Sequence, residues 1–289
     1  MKKQKWLPYG LILPTIILLS LLYGYPIILL IWQSFNKVNL LNASMEFVGL
    51  SNYKNVFADP SFYKTLSLTF RYTVITVILK VGLGFLFAYL LHKEIFFKKE
   101  FRFLMLIPWA IPQVAVSTVF KWILDGDYGY LNYILMKLNI TADPVWFLSS
   151  PKLAFYAASF VDTWMGIPMV CMMFLAALNG IPKSLYEASM MDGADGFRQF
   201  IDITLPAIKK VFTTVLILVT IWTFNSFNVI FVLTGGGPMR ATETLIIRVY
   251  QEAFSRFDLG MSATLSVVTM VILTILTIIY VKGLDFYEE

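Results

Sequence analysis

Two charged side chains, Lys80 and Asp162, lie near the middle of long apolar runs of the sequence. A charge inside a membrane is costly, so such a residue is a candidate for a functional role and usually has a partner. The two residues therefore predict either a structural ion pair or a direct contact with a bound ligand, and the sequence leaves both interpretations open. Arg71 and Lys121 fall nearer the outer ends of their runs, where long side chains reach out to water.

Residues for covalent or metal-assisted catalysis are scarce. His92 is the single histidine and Cys171 the single cysteine, so an internal disulfide is impossible and neither a zinc nor a haem site is expected. His92 stands beside Lys93 and Glu94 at the end of an apolar run, which is typical of an ordinary interfacial residue. We therefore predict no catalytic residue, no metal site and no cofactor bound by this chain.

The composition is that of a membrane protein. Of the 289 residues, 58% are hydrophobic and 14% are charged, whereas soluble domains have about 25% charged residues. A spanning helix needs about 20 apolar residues. We predict an all-α transmembrane chain, a single domain over residues 1–289, with six spans at roughly 8–35, 66–91, 103–124, 152–178, 209–233 and 260–282.

The distribution of Lys and Arg predicts the orientation of these spans. With both termini placed in the cytoplasm, the inside segments hold twelve of these residues and the outside loops hold eight, which agrees with the positive-inside rule. The net charge of +5 is explained in the same way, and no motif suggests a nucleic-acid partner. This N-in, C-in arrangement puts the polar segment 182–206, between the fourth and fifth spans, in the cytoplasm.

The segment 182–206, called the insert below, carries several helix signals. Ser184 and Glu187 have the spacing of a capping box, in which each side chain bonds to the other residue's backbone N–H. This spacing predicts a short helix over about 185–192. Gly193 is expected to end that helix, because glycine readily takes the left-handed conformation.

A second short helix is predicted to follow within the insert. Asp195 is expected to cap it, Phe197, Phe200 and Ile201 to share one of its faces, and Pro206 to close the segment. Helices this short are unstable alone and need a surface to pack on. That surface is either the chain's own helix ends or a partner protein in the cytoplasm.

The stretch "EASMMDGADGFRQFIDITLP" within the insert resembles the EAA loop of ATP-binding-cassette (ABC) importer permeases. That motif is Glu-Ala-Ala, three residues, Gly, nine residues, then Ile-x-Leu-Pro, and here Ser replaces the second Ala. The stretches "FVGLSNYKNVF" and "LTGGGPMRATETL" resemble the carbohydrate branch of the family, which is similar to the maltose and glycerol-phosphate permeases. The matching positions of the EAA loop are Glu187, Ala188, Ser189, Gly193, Ile203, Leu205 and Pro206.

This resemblance covers nearly the whole chain and implies the six-helix, MetI-like permease fold in a bacterial inner membrane. In this family a second permease, usually a related but different chain, completes the pathway. Two cytoplasmic ABC ATPases drive transport after docking on the EAA helices, and an extracytoplasmic solute-binding protein delivers the substrate. The chain has no G-x-x-x-x-G-K-[ST] phosphate loop. ATP and Mg²⁺ are therefore expected on the partner ATPase, and the chain itself is not expected to be an enzyme.

The resemblance also implies a sugar or oligosaccharide substrate, bound near the middle of the membrane. Sugars are held by hydrogen bonds to their hydroxyls and by aromatic side chains that stack on their apolar ring faces. Trp109 and Gln113 are expected one turn apart on one helix face. The sugar-contact positions aligned on the family's motifs are Trp109, Gln113, Asp162, Gly166, Met169, Trp222, Thr223 and Ser226.

Other functions make different demands on the sequence. A permease of the same type for a non-sugar solute such as glycerol phosphate fits the same motifs and stays open. A secondary transporter would need repeated halves with matching broken helices. A membrane enzyme would need clustered His, Cys or paired carboxylates. Neither pattern is found in the sequence.

Overall fold

Helices dominate the computed structural model, which describes residues 7–39, 41, 44–93 and 96–285. The N-terminal lysines used in the orientation prediction lie outside the described residues. The elements are α1 (Leu7–Leu19), a π-helical turn (Ser20–Gly24), α2 (Tyr25–Ser34), β1 (Asn36–Asn39), β2 (Ser44–Phe47), α3 (Ser51–Ala58), α4 (Pro60–His92), α5 (Lys98–Ala110), α6 (Gln113–Ile123), α7 (Tyr130–Lys137), α8 (Pro151–Asn179), α9 (Lys183–Met191), α10 (Gly196–Gln199), a second π-helical turn (Phe200–Thr204), α11 (Leu205–Phe224), α12 (Asn228–Thr234), α13 (Leu245–Phe254) and α14 (Leu259–Asp285).

Among the described residues, five continuous helical segments are long and apolar enough to cross a membrane. A sixth span results if the bent pair α5 and α6 is counted as one. The five segments are Tyr9–Ser34, Pro60–His92, Pro151–Asn179, Gly196–Thr234 and Leu259–Lys282.

The span predicted at 103–124 is broken, because α5 and α6 meet at 92°. The break lies at Ile111, which has an extended backbone (φ −86°, ψ 137°). The ring of Pro112 disfavours the helical conformation for the residue before it, so the helix ends there. Trp109 lies at the end of α5, whereas Gln113 begins α6. The prediction that these two residues share one helix face is therefore wrong.

Contacts divide the chain into two compact units, of which the first comprises residues 1–64 and 248–272. It contains a short antiparallel hairpin, β1 and β2, that the sequence did not predict. The side-chain amide of Asn52 donates hydrogen bonds to the carbonyl oxygens of Ser34 (3.1 Å) and Asn36 (2.9 Å). These bonds attach α3 to the hairpin and to the end of α2.

A buried arginine joins distant segments of the first unit. The Arg248 guanidinium lies 2.6 Å from the Asp59 carboxylate and donates a 3.1 Å hydrogen bond to the hydroxyl of Ser61. The hydroxyl of Ser61 and the guanidinium of Arg248 hold the pKa of Asp59 well below its usual range. Arg248 belongs to α13, so these contacts connect that helix to the beginning of α4.

The second unit, residues 65–247 and 273–289, is built around α8. Val170, Phe174 and Leu178 of this helix are almost completely buried. A Cβ atom added at Gly84 of α4 would lie 2.5 Å from Cγ1 of Val170. Glycine therefore permits the close approach of α4 to α8, as small residues commonly do between membrane helices.

Two of the local signals in the insert are confirmed. Gly193 follows α9 with a φ of +78°, the left-handed conformation predicted for it. Asp195 caps α10, because its carboxylate accepts a 2.8 Å hydrogen bond from the backbone N–H of Arg198. The insert is therefore the short helix α9, a tight turn and the beginning of a helical segment that continues without a break into α11.

Two other predictions for the insert are wrong. The capping box does not form, because α9 begins at Lys183 after an N-cap at Pro182 and Ser184 is already inside the first turn. Pro206 does not close the segment either, since α11 begins at Leu205 and continues for 20 residues. The N–H of Leu205 bonds to the carbonyl of Phe200 across the π-helical turn. Such a widened turn accommodates the proline ring without ending the helix.

Candidate functional site

A cavity of about 560 Å³ opens in the second unit. The elements around it are α4, the broken span, α8 and the region where α11 ends and α12 begins. Its lining residues are Lys80, Trp109, Gln113, Asp162, Met165, Gly166, Met169, Val170, Val219, Ile221, Trp222, Asn225, Ser226, Phe227 and Asn228.

Seven of the eight aligned positions lie on the wall of this cavity, although they come from three separate stretches of sequence. Asp162, Gly166 and Met169 share one face of α8 because they are spaced three to four residues apart. Thr223 is the exception. It is buried outside the lining, and its hydroxyl accepts a 3.0 Å hydrogen bond from Nζ of Lys80.

Lys80 and Asp162 form an ion pair at the edge of the cavity. Nζ of Lys80 lies 2.9 Å from Oδ1 of Asp162, and the two residues are 6% and 5% exposed. The hydroxyl of Tyr72 donates a 3.0 Å hydrogen bond to the other carboxylate oxygen of Asp162. Each charge therefore has its counter-charge and a further hydrogen bond. Because both residues also line the cavity, the structural pair and a ligand contact are compatible.

Aromatic and amide groups supply the rest of the recognisable chemistry. Trp109 and Trp222 are 57% and 50% exposed, so their ring faces are open to a ligand. The side-chain amide of Asn228 donates a 3.0 Å hydrogen bond to Oε1 of Gln113. Amides both donate and accept hydrogen bonds, as do the hydroxyls of a polyol.

Sequence reasoning missed several wall residues. Met165 could have been found, because it follows Asp162 by three residues and therefore lies on the same face of α8. Asn225 and Asn228 lie one and two residues from the aligned position Ser226 in the sequence. No sequence pattern indicated that Phe227 lines the cavity, because it belongs to the non-helical segment between α11 and α12.

Gly166 lies in the cavity wall at a position where a larger residue would clash with Lys80. A Cβ atom added at Gly166 would lie 2.6 Å from Cε and 2.7 Å from Cδ of Lys80. The aliphatic stem of Lys80 thus passes directly over this residue on its way to Asp162. A side chain at position 166 would displace the stem and disturb the ion pair.

The insert presents a second surface with unusual chemistry. Leu185, Met190, Met191 and Phe197 are exposed there. Hydrogen bonds hold α9 against the following segment: the hydroxyls of Tyr186 and Thr204 are 2.9 Å apart, and the Gln199 amide donates to the Ser189 hydroxyl at 3.0 Å. Of the motif positions, Ser189 and Ile203 are half-buried, and the exposed ones are Glu187, Ala188, Gly193, Leu205 and Pro206. An exposed apolar surface on an ordered scaffold is typical of a protein-binding site.

Comparison with known proteins relates the whole chain to transport systems. Residues 80–282 match the family described as "Binding-protein-dependent transport system inner membrane component". The chain is 35% identical over 286 residues to the sulfoquinovosyl glycerol transport system permease protein SmoG of Agrobacterium fabrum, covering 96% of this chain and 92% of that protein. It is 33% identical over 280 residues to the trehalose/maltose transport system permease protein MalF of Thermococcus litoralis, covering 97% and 94%.

A solved structure shows the same fold at lower sequence identity. One chain of a bacterial alginate ABC transporter, in complex with an alginate pentasaccharide-bound periplasmic protein, superposes with a TM-score of 0.83. The two chains are 20% identical, and the match covers 96% of this chain and 93% of the other. The overall fold of this chain is therefore that of the matched chain of that transporter.

Proposed function

The chain belongs to the family of binding-protein-dependent transport system inner membrane components, and from that premise we propose that it is a permease subunit that carries an uncharged saccharide into the cell. It is a multi-pass protein of the inner membrane. The observation that carries the proposal is the cavity, where open tryptophan faces, amides and an internally neutralised ion pair line one wall.

A saccharide matches this wall group by group. The apolar faces of a sugar ring stack on aromatic rings, which Trp109 and Trp222 offer. Its hydroxyls need both donors and acceptors, which Gln113, Asn228 and Ser226 supply. A hydrocarbon ligand would leave these polar groups without partners at a cost of about 1–3 kcal/mol each.

The charge on the wall favours an uncharged sugar over an anionic one. Lys80 and Asp162 are the charged residues among those that line the cavity, and they neutralise each other at 2.9 Å. An anionic group would have to compete with Asp162 for the ammonium, and bringing two negative charges together is unfavourable. A trehalose- or maltose-like solute therefore suits the wall better than glycerol phosphate.

The energy for transport is proposed to come from partner chains. Because this chain has no phosphate-binding loop, ATP and Mg²⁺ would be bound by two ATPases that dock on the exposed apolar surface of the insert. A second permease, a related but different chain, would complete the pathway opposite Trp109 and Trp222. A solute-binding protein would deliver the sugar from outside, consistent with the N-in, C-in orientation predicted from the loop charges.

A panel of solutes tests the proposed substrate class. We expect cells that express the complete importer to accumulate an uncharged disaccharide, and glycerol phosphate or a uronic-acid disaccharide not to compete at equal concentration. The ligand bound by the cognate solute-binding protein should likewise be uncharged. Uptake of anionic solutes in preference to neutral ones would overturn the assignment.

Trp222→Ala is expected to weaken sugar recognition without affecting assembly. Loss of one stacking face costs about 1 kcal/mol, which is roughly a fivefold increase in the KM for uptake. The effect is measured as initial rates of labelled sugar uptake over a range of concentrations, at matched amounts of chain in the membrane.

Trp122→Ala is the matched control, because Trp122 is also exposed but lies outside the cavity lining. Its KM should equal that of the unmodified chain. If both variants transport normally, Trp222 only packs in the membrane and the cavity is not the sugar site.

Gly166→Ala is expected to disturb the wall from within, because the new methyl group displaces the stem of Lys80. Overpacking of this kind costs about 1–3 kcal/mol, so the KM for uptake should rise roughly fivefold or more. Gly82→Ala, on the same helix as Lys80 and with no atom within 4 Å of its added Cβ, is the control and should transport normally. Equal KM values for the two variants would show that the position of Lys80 does not matter for recognition.

A further inference from the structure

A second cavity, of about 610 Å³, lies where the insert meets the ends of the neighbouring helices. The end of α4, the end of α8, the beginning of α5 and the insert all contribute to its wall. Its lining residues are Tyr89, His92, Lys93, Lys98, Asn179, Ile181, Lys183, Tyr186, Gly196, Gln199, Phe200 and Thr204. None of the proposed sugar-contact residues is among them.

The charged side chains among the described lining residues of this cavity are those of lysines. Among the described residues, Lys93, Lys98 and Lys183 line it and no carboxylate does. Within the described part of the chain, none of the three lysines forms a salt bridge. Nζ of Lys98 donates a 3.0 Å hydrogen bond to the carbonyl of His92, and Nζ of Lys93 lies 4.9 Å above the ring of Tyr89. Three lysines that line one cavity, with no carboxylate among its described lining residues, favour an anionic occupant.

The neighbouring residues place this cavity at the membrane surface. Phe96 is 93% exposed and its neighbour Phe97 is also exposed, directly before Lys98 and Lys99. Exposed aromatic rings next to lysines are typical of the layer where lipid headgroups meet the hydrocarbon core. An anion that reaches the cavity at this depth is therefore available as the phosphate of a phospholipid.

We propose that this cavity binds the headgroup phosphate of an anionic phospholipid. Basic pockets between membrane helices on the cytoplasmic side recognise such headgroups, and the orientation assumed here rests on the proposed function. The phosphate lies among the three ammonium groups, while the acyl chains extend along the exposed aromatic residues. A zwitterionic headgroup binds more weakly, because its own cation opposes the lysines.

Occupancy of the cavity would act on the insert. Lys183, Tyr186, Gln199 and Thr204 belong to the insert, whereas Lys93 and Lys98 belong to the ends of membrane helices. One phosphate bound to both sets would join the insert to those helices by charge-assisted hydrogen bonds. The lipid thereby holds the insert in a fixed position, which favours coupling between ATP hydrolysis and transport.

The test measures lipid retained by the purified full-length chain. Native mass spectrometry in detergent compares added phosphatidylglycerol with added phosphatidylcholine. In the triple variant Lys93→Gln/Lys98→Gln/Lys183→Gln, retention of phosphatidylglycerol should weaken roughly 100-fold, because each lysine near a lipid surface contributes a several-fold effect. The control variant Lys99→Gln/Lys209→Gln/Lys210→Gln loses the same charge outside the cavity lining and should retain the lipid.

Two further measurements distinguish a bound lipid from free phosphate and from a role of the lysines in binding the ATPase. Millimolar inorganic phosphate should not displace the lipid, and displacement at that concentration would show that the site is one for free phosphate. If the triple variant retains phosphatidylglycerol but loses binding of the ATPase, the lysines serve the ATPase and the lipid proposal is wrong. Retention equal in the triple and control variants overturns it as well. Because this test needs neither sugar nor ATP, its failure would leave the proposed transport function intact.

Discussion

Gly193→Val should abolish sugar-stimulated ATP hydrolysis and uptake together, while the chain still inserts in the membrane. Gly193 has a φ of +78° at the turn between α9 and α10, and nothing lies within 4 Å of an added Cβ. The substitution therefore acts through the backbone and not through a clash. A β-branched residue in this conformation costs at least about 1–2 kcal/mol, and the turn can avoid that cost only by redirecting α10. The exposed apolar surface of the insert would then no longer fit one binding site on the ATPase.

A second substitution at the same position serves as the control for this effect. Gly193→Asn should retain part of the activity, because asparagine tolerates the left-handed conformation. The readouts are binding of the ATPase in a pull-down and ATP hydrolysis in reconstituted membranes. A Gly193→Val chain that binds the ATPase and couples normally would disprove the role of the insert.

Asp162→Asn should strongly destabilise the chain and prevent transport. The change leaves the Lys80 ammonium, which is 6% exposed, without its counter-charge. Breaking a buried ion pair by removing one partner costs about 3–5 kcal/mol. We expect the low end of that range, because Lys80 also lines the cavity, where water can approach it. Asparagine can still accept the hydrogen bond from Tyr72, so the measured loss reports the charge.

The double variant Lys80→Met/Asp162→Asn tests the same explanation. It removes both charges. Tyr72 keeps an acceptor at position 162, and the Thr223 hydroxyl loses only the hydrogen bond from Lys80. Its thermal unfolding midpoint in detergent should therefore lie closer to that of the unmodified chain than to that of Asp162→Asn. Sugar uptake need not recover in parallel, since both residues line the cavity. A single variant as stable as the unmodified chain would show that the pair contributes nothing to folding.

The sequence predicted those features of the insert that depend on a single residue's backbone. Gly193 and Asp195 behave as predicted because a left-handed turn and a side-chain cap are determined by residues next to each other. Ser184 does not cap α9 because the N-cap is Pro182, two residues earlier. Pro206 does not end the helix because the wider π-helical turn before it leaves room for the proline ring, which has no N–H to donate. Such a turn has no simple sequence signature.

Features that depend on contacts between helices distant in sequence were harder to predict from the sequence. The candidate sugar-contact positions were placed by resemblance, yet the sequence did not show that Thr223 turns away from the cavity towards Lys80. The ion pair itself was one of two open interpretations, because the relative height of α4 and α8 is set by packing such as that of Gly84 on Val170. The basic cavity was not predicted, since its lysines come from three segments that meet only in the folded chain.

Uptake by proteoliposomes tests the central proposal most directly. The chain is reconstituted with its second permease and its ATPases, and a labelled uncharged disaccharide is added outside with the solute-binding protein. We predict accumulation inside that requires both the binding protein and internal ATP, and that continues when ion gradients are collapsed. Accumulation that proceeds without ATP and stops when the ion gradients are collapsed would contradict the account and identify the protein as a secondary transporter.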